Sequence, residues 1–323
     1  MGSKRDMLIK LLAKHGNMYI SGQELSEQLN ISRTAIWKHM NELKKDGYEF
    51  ESAPKKGYRL VRAPEAYNET TIKWGLTTNW LGKNLHFKES MDSTQNLAHE
   101  LAKKQAPHGT VIIANEQTEA RGRLERPYES RQGGIWMSVI LRPPMAPYQA
   151  SQFTLFTSVI LTEVLSEITK LPIEIKWPND LFVHDQKLSG ILTEMSGELD
   201  SIEYLIIGIG INVNQEANQF SDDVREKATS LLIETGEIWD RTTIVQRLLK
   251  TMEEQYEHYV QQGFNSYKEK WSKRAYKKNE VITIQSQNET FQATLAGIDE
   301  NGALLVQREN GPLIPIYSGE IIW

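Results

Sequence analysis

Apolar residues recur at helical spacing three times near the start of the chain. Met7, Leu8, Leu11 and Leu12 predict a first helix, stopped by Gly16-Asn17. Ser21-Gly22-Gln23-Glu24 is a capping box that opens a short helix ending at Leu29. Asn30-Ile31-Ser32 makes a tight turn, and a third helix runs from Arg33 to about Asp46 and ends at Gly47. Ile36, Met40 and Leu43 form its buried stripe, leaving Arg33, Thr34, Trp37, Lys38 and Asn41 on the opposite face. Tyr48–Glu51 and Tyr58–Val61 then read as two strands around a basic turn, Pro54-Lys55-Lys56-Gly57. A helix pair with a polar outer face, followed by a lysine-tipped wing, describes a winged helix-turn-helix. Its candidate DNA contacts are Arg33, Thr34, Trp37, Lys38, Lys55 and Lys56, with Trp37 equally readable as core.

Further along, the pattern alternates between strand and helix. Gly109 to Asn115 and Ile135 to Leu141 read as strands. Between Ser151 and about Lys170, Phe153, Phe156, Ile160, Val164 and Ile168 mark one face of a long helix. Ile173, Ile175 and Trp177 alternate with Glu174 and Lys176, Pro178-Asn179-Asp180 breaks the run, and Leu181-Phe182-Val183 resumes it. After a second turn, Lys187 to Met195 returns as a strand. Tyr204 to Val213 is a buried strand whose glycines suit close backbone approach better than a dinucleotide fingerprint. Asp240 caps a helix from Thr242 to about Gln261. Short strands from Glu280 to Ile284, Thr290 to Ile298, Ala303 to Gln307 and Leu313 to Tyr317 predict a small barrel, with turns at 299–302 and 309–312. The fold class is therefore α+β. A winged helix-turn-helix spans 1–63, a linker 64–73, a central mixed sheet with helices 74–270, and a small β-barrel 271–323.

Charge sharpens the division of labour. Residues 1–63 carry twelve Lys/Arg and seven Asp/Glu, a net of +5 in a chain whose total is −5, which leaves −10 for the rest. A basic head on an acidic body points to the head as the part that meets nucleic acid. The absence of cysteine excludes disulfides, thiolate metal sites and cysteine nucleophiles, and suits a cytoplasmic protein. No apolar run is long enough to span a bilayer, and the Met1-Gly2-Ser3-Lys4 start lacks a secretory core, so no membrane partner is expected. Asn30-Ile31-Ser32, Asn68-Glu69-Thr70 and Asn288-Glu289-Thr290 match the glycosylation pattern, without meaning in the cytosol.

Three stretches carry candidate chemistry. The hairpin around Asp180 and Lys187 holds an acid and an ammonium on a rigid sheet, suited to positioning an anion and a nucleophile, although surface hairpins also carry solvated charges. Arg121, Arg123 and Arg126, with Gly122 between the first two, form a polar loop able to wrap phosphates through bidentate forks. It is not a P-loop, because the Gly-Lys-Ser/Thr ending is missing. Ser93, Thr94 and Gln95 open a helix, where they serve as caps or bind a neutral polar group such as a ureido ring.

Taken in order, the winged helix, Asp92-Ser93-Thr94, the Arg121-Gly122-Arg123 to Arg126 loop, Lys176-Trp177-Pro178-Asn179-Asp180, Lys187-Leu188-Ser189-Gly190-Ile191-Leu192, Gly208-Ile209-Gly210-Ile211-Asn212 and the C-terminal barrel resemble the bifunctional biotin protein ligase and biotin operon repressor family. The likeness covers essentially the whole chain, and the 176–192 stretch is its most specific part. It implies a central sheet like that of class II synthetases. It also implies biotin and ATP as substrates, with Mg2+, giving biotinyl-5'-AMP that acylates a lysine of a biotin carboxyl carrier protein, from acetyl-CoA or pyruvate carboxylase. Ser93, Thr94, Gln95 and Gln117 would hold the ureido head. Arg121, Gly122, Arg123 and Arg126 would cover biotin and phosphate, and Lys187 would meet the biotin carboxylate. Asp180 would orient or deprotonate the acceptor lysine, and Asn212 would lie near the adenylate; no protein residue would ligate a metal. The adenylate-bound form would be a homodimer that binds operator DNA. Ala120, Glu125 and Tyr128 depart from the family loop. Alanine resists a positive φ that glycine allows, so a leakier hold on the adenylate is expected. The alternatives are a lipoate ligase-like acyl transferase and a non-catalytic biotin-sensing repressor.

Overall fold

The structure is a computed structural model that describes residues 4–16, 18–64, 66–286, 289–309 and 311–322. The Met1-Gly2-Ser3 start, Asn17 in the first helix stop, Glu65 in the expected linker, Asn288 in a glycosylation pattern and Asn310 in a predicted turn lie outside the described residues. The chain divides into two compact units, Met1–Thr77 with Thr242–Gln246, and Thr78–Arg241 with Arg247–Trp323. No helix among the described residues is long and apolar enough to cross a membrane.

In the first unit, α1 (Lys4–Lys14), α2 (Gly22–Leu29) and α3 (Arg33–Lys45) precede the antiparallel pair β1 (Glu49–Ala53) and β2 (Gly57–Arg62). Ser21 Oγ accepts from Glu24 N and Ser32 Oγ from Ala35 N, both at 3.1 Å, so the two caps read from sequence start these helices. Leu8, Leu12, Leu25, Ile36, Met40, Leu43 and Leu60 close one core. Ile20 bridges Tyr58 beside the wing, and Gly57 sits there at φ +108°, where a Cβ would lie 2.0 Å from Ile20 O. Only glycine fits that turn. Arg33, Thr34, Lys38, Lys55 and Lys56 are exposed, and Trp37, at 61% exposure, is not part of the core. The segment expected to be a linker differs. Half of it belongs to α4 (Glu69–Gly75), where Asn68 Oδ1 accepts from Thr70 N at 2.9 Å and Thr71 N at 3.0 Å. The Asn-Glu-Thr triplet is thus a helix cap, a reading that its match to a glycosylation pattern obscured.

The second unit is built on a seven-stranded mixed sheet. Its strands are β3 (Leu85–Lys88), β4 (Thr110–Ala114), β5 (Ile135–Leu141), β6 (Glu174–Lys176), β7 (Asp180–Val183), β8 (Gln186–Gly197) and β9 (Ile202–Ile211), in the order β3-β4-β5-β9-β8-β7-β6. Only β3 and β4 are parallel. Helix α5 (Thr94–Lys103) packs Ala98 and Ala102 on Ile112, Ile140, Tyr204 and Ile206. On the other side lies α6 (Ala150–Thr169), buried over most of its surface, with Thr154 Oγ1 donating to Thr193 Oγ1 of β8 at 2.8 Å. Short helices α7 (Asp222–Arg225) and α8 (Leu231–Thr235) lead to α9 (Arg241–Gln262) and α10 (Asn265–Arg274). The last five strands are β10 (Val281–Gln285), β11 (Thr290–Ile298), β12 (Leu304–Gln307), β13 (Leu313–Ile316) and β14 (Glu320–Ile322), forming an antiparallel sheet in the order β13-β12-β11-β10-β14. Buried Trp177 donates from Nε1 to Gly302 O at 3.1 Å, which locks this sheet to the hairpin that carries Asp180.

Candidate active site

Side chains alternate across a strand, so Gly190, Leu192 and Glu194 of β8 share a face with Gly208 and Gly210 of β9. Gly190 stands opposite Gly210, and Leu192 opposite Gly208. Three glycines therefore strip one patch of the sheet to bare backbone. Gln95 rests over Gly208, where a Cβ would approach Gln95 Oε1 to 2.7 Å. Tyr128 rests over the other two, with its ring carbon 2.8 Å from a Cβ built on Gly210 and 3.1 Å from one on Gly190. The close approach expected of the 208–210 glycines is made by these two side chains.

Above this floor lies a cleft of about 540 Å³. It brings together Ser93, Thr94, Gln95, Gln117, Arg121, Gly122, Arg123, Arg126, Asp180 and Lys187, residues drawn from five separate stretches of sequence. Asn212 does not line it. That residue is buried at the end of β9, where Nδ2 donates to Thr229 O at 2.9 Å and the backbone N–H to Leu188 O at 3.0 Å. The β7–β8 hairpin sets Asp180 opposite Gly190 and brings Lys187 Nζ to 2.7 Å from Asp180 Oδ1. The contact is charge to charge without hydrogen-bond alignment. Asp180 Oδ1 is buried and accepts no aligned hydrogen bond within the described residues. The Lys187 ammonium balances the charge of this buried oxygen.

The polar set at the start of α5 is wired internally. Thr94 N donates to Gln117 Oε1 at 2.7 Å, and Gln117 Nε2 to Ser130 Oγ at 3.0 Å. Ser138 Oγ donates to Gln95 Oε1 at 2.9 Å and lies 2.8 Å from Thr94 Oγ1. Ser93 Oγ accepts from Gln95 N at 3.2 Å, the capping role weighed for it in the sequence.

The three arginines differ from one another. Arg121 grips Glu194 with both terminal nitrogens, at 2.6 and 3.1 Å, and also reaches Glu125 at 3.0 Å. Arg126 pairs with Glu320 of β14 at 2.8 Å, closing the loop onto the C-terminal sheet. Arg123 Nη1 donates to Asn179 Oδ1 at 3.3 Å, and burial pulls its guanidinium below the ordinary value. Two of the forks read as phosphate clamps thus already hold carboxylates. Ala120, expected to resist a positive φ, does not adopt one. The left-handed residues are Leu124 and Glu125, both at φ +56°.

Several lining residues were given no site role from sequence. Lys176 has its ammonium pulled down to about 8, by burial first and then by Lys187 and Arg126, against the pull of Asp180 and Glu320. Burial, with the Asp180 carboxylate, raises the Tyr128 phenol, so it stays protonated. Gln285, Ser286, Ser318, Gly319 and Glu320 come from the C-terminal sheet. Their short polar runs carry no local signal in the sequence.

Comparison with known proteins is consistent with this layout. The HTH domain model matches residues 4–59, the Biotin/lipoate A/B protein ligase family model residues 87–212, and the Biotin protein ligase C terminal domain model residues 279–323. The bifunctional ligase/repressor BirA of Bacillus subtilis is 42% identical over 318 residues, 98% of each chain. The chain belongs to the bifunctional biotin ligase/repressor family. The Escherichia coli member is 31% identical over 97% of this chain and 95% of its own. Among solved structures, the biotin protein ligase from Aquifex aeolicus in complex with biotin and ATP matches with a TM-score of 0.65 and 32% identity, covering 74% of this chain and 98% of that one. Family membership makes the chain a biotin ligase enzyme with a helix-turn-helix DNA-binding domain.

Proposed function

We propose that this protein activates biotin with ATP-magnesium to biotinyl-5'-AMP, and transfers biotin to a lysine of a biotin carboxyl carrier domain in the cytoplasm. As an adenylate-bound homodimer, it represses transcription of biotin genes through its winged helix. The observation that carries the reading is the Asp180–Lys187 pair under the arginine loop. Carboxylate attack on a phosphate brings two anions together. Lys187 and Arg123 lower that repulsion and stabilise charge as it develops. Magnesium arrives with the nucleotide. The cleft carboxylates Asp180 and Glu320 are each paired with a cation, and Mg2+ is well served by phosphate oxygens and water. The acceptor ammonium must lose a proton before it attacks, and the Asp180 carboxylate takes it. Ser93, Thr94 and Gln117 present the polar pocket for the ureido head. Support for self-association comes from β8, where pairing with β7 stops at Gly190 and leaves the outer edge of Leu192–Gly197 without a strand partner among the described residues.

The test is mass spectrometry of the protein after incubation with biotin and ATP-magnesium, followed by addition of a carrier domain. Biotinyl-AMP that passes to one acceptor lysine is expected. Lys187→Met should slow adenylate formation by about 10²–10³-fold. Asp180→Asn should slow transfer by about 10²-fold or more, with a smaller effect on adenylation. Bound biotin without adenylate would replace this reading with a sensor, and turnover of lipoate would replace it with the related acyl transferase.

A further inference from the structure

Glu194 does not line the cleft, yet the side chains of Arg121, Gln95 and His99 converge on its carboxylate. Arg121 Nη1 donates to its Oε1 at 2.6 Å and Nη2 to its Oε2 at 3.1 Å. Gln95 Nε2 donates to Oε2 at 2.8 Å, and His99 Nε2 lies 3.0 Å from the same oxygen. Gln95 and His99 are four residues apart on α5 and so present one face to it. We infer that Glu194 is a positioning residue for the ligase reaction proposed above. Its carboxylate ties the arginine loop to the first turns of α5, so that closure of the loop and the shape of the polar pocket are set together.

The loop's other acid on Arg121, Glu125, cannot do this, because its side chain is 77% exposed and an exposed pair contributes little. Glu194 and Arg121 are only 24% and 22% exposed, and their contact is a bidentate fork. Burial alone would push the Glu194 carboxyl up, but hydrogen bonds from His99, Arg121 and Gln95 outweigh it and bring the group down to about 2. It is therefore a fixed anion at any working pH. Through Gln95 the link continues to Ser138 and Thr94, which line the cleft.

The first experiment uses the full-length chain without ligand. Trypsin cleavage at Arg121–Gly122 and Arg123–Leu124, followed by mass spectrometry, should be about tenfold faster in Glu194→Gln. The thermal midpoint should move by only a few degrees. Arg121→Lys keeps the charge but loses the fork, so it should free the loop similarly, and the double variant should add little to either. With biotin and ATP-magnesium, Glu194→Gln should release adenylate about tenfold faster, while the maximal rate of adenylate formation falls by no more than about threefold. Parent-like cleavage in both single variants would overturn the coupling whatever the ligand. A freed loop in a protein whose parent makes no adenylate would sink the ligase reading and leave the coupling standing.

Discussion

Leu124 and Glu125 hold consecutive left-handed backbone angles without being glycine, at roughly 1 kcal/mol or more each. Glu125→Gly removes the strain at its own position and the acid beside Arg121, while glycine's greater unfolded freedom offsets part of the gain. The thermal midpoint should shift by no more than about 2 °C. The adenylate lifetime should lengthen about two- to fivefold, because Arg121 loses a competing carboxylate. Ala120→Gly should leave it unchanged, since residue 120 has no positive φ to relieve. Lys176 offers a second measurement. Its ammonium titrates near 8 in the fold against an ordinary 10.5, so the native state sheds a proton that the unfolded chain keeps. Stability should rise between those two values, while nucleotide affinity weakens as the cleft loses a positive charge. Calorimetric ATP binding and thermal melts from pH 6.5 to 9.5 should show both trends, and Lys176→Met should flatten both. Lys187 and Asp180 were legible in the sequence because a hairpin fixes their separation. Glu194 was not, since an acid in an alternating strand looks like any solvent-facing residue until the loop that covers it is in place.

At the level of elements, the arginine loop depends on what the sheet leaves out. Gly210→Ala would press a methyl group against the Tyr128 ring, an overpacking worth about 1–3 kcal/mol. Adenylate should then be held more weakly, and thermal denaturation should shift downwards. Adding Tyr128→Ala should recover part of the lost stability, and the two changes should be clearly non-additive in a double-mutant cycle. Long elements such as α3, α6 and α9 were readable from apolar residues at helical spacing, and β5 from a nearly continuous apolar run that is buried throughout. β3 and β14 are four and three residues long, too short for a period to emerge. α10 buries only Tyr267 and Trp271 in an otherwise polar sequence, so its helix is specified by tertiary packing.

Across the whole molecule, charge and chemistry are kept in different places. The basic N-terminal segment exposes Lys55 and Lys56 at a turn and Arg33 and Lys38 on a helix face. Operator binding measured by gel shift should weaken steeply with salt. Lys55→Ala should reduce the slope of log K against log salt by about 0.9 if that lysine meets a phosphate. The order of domains was legible, because each carries its own pattern. The placement of β9 between β5 and β8 was not, since strand order depends on long-range pairing that no local window records. That pairing sets Gly190 beside Gly210, and the Tyr128 ring covers their bare backbone at the floor of the cleft. An inhibitor that packed on that ring would rest on a support with few routes to resistance. Every replacement for glycine adds at least a Cβ, and here that atom would collide with the protein's own Tyr128 before it disturbed the drug.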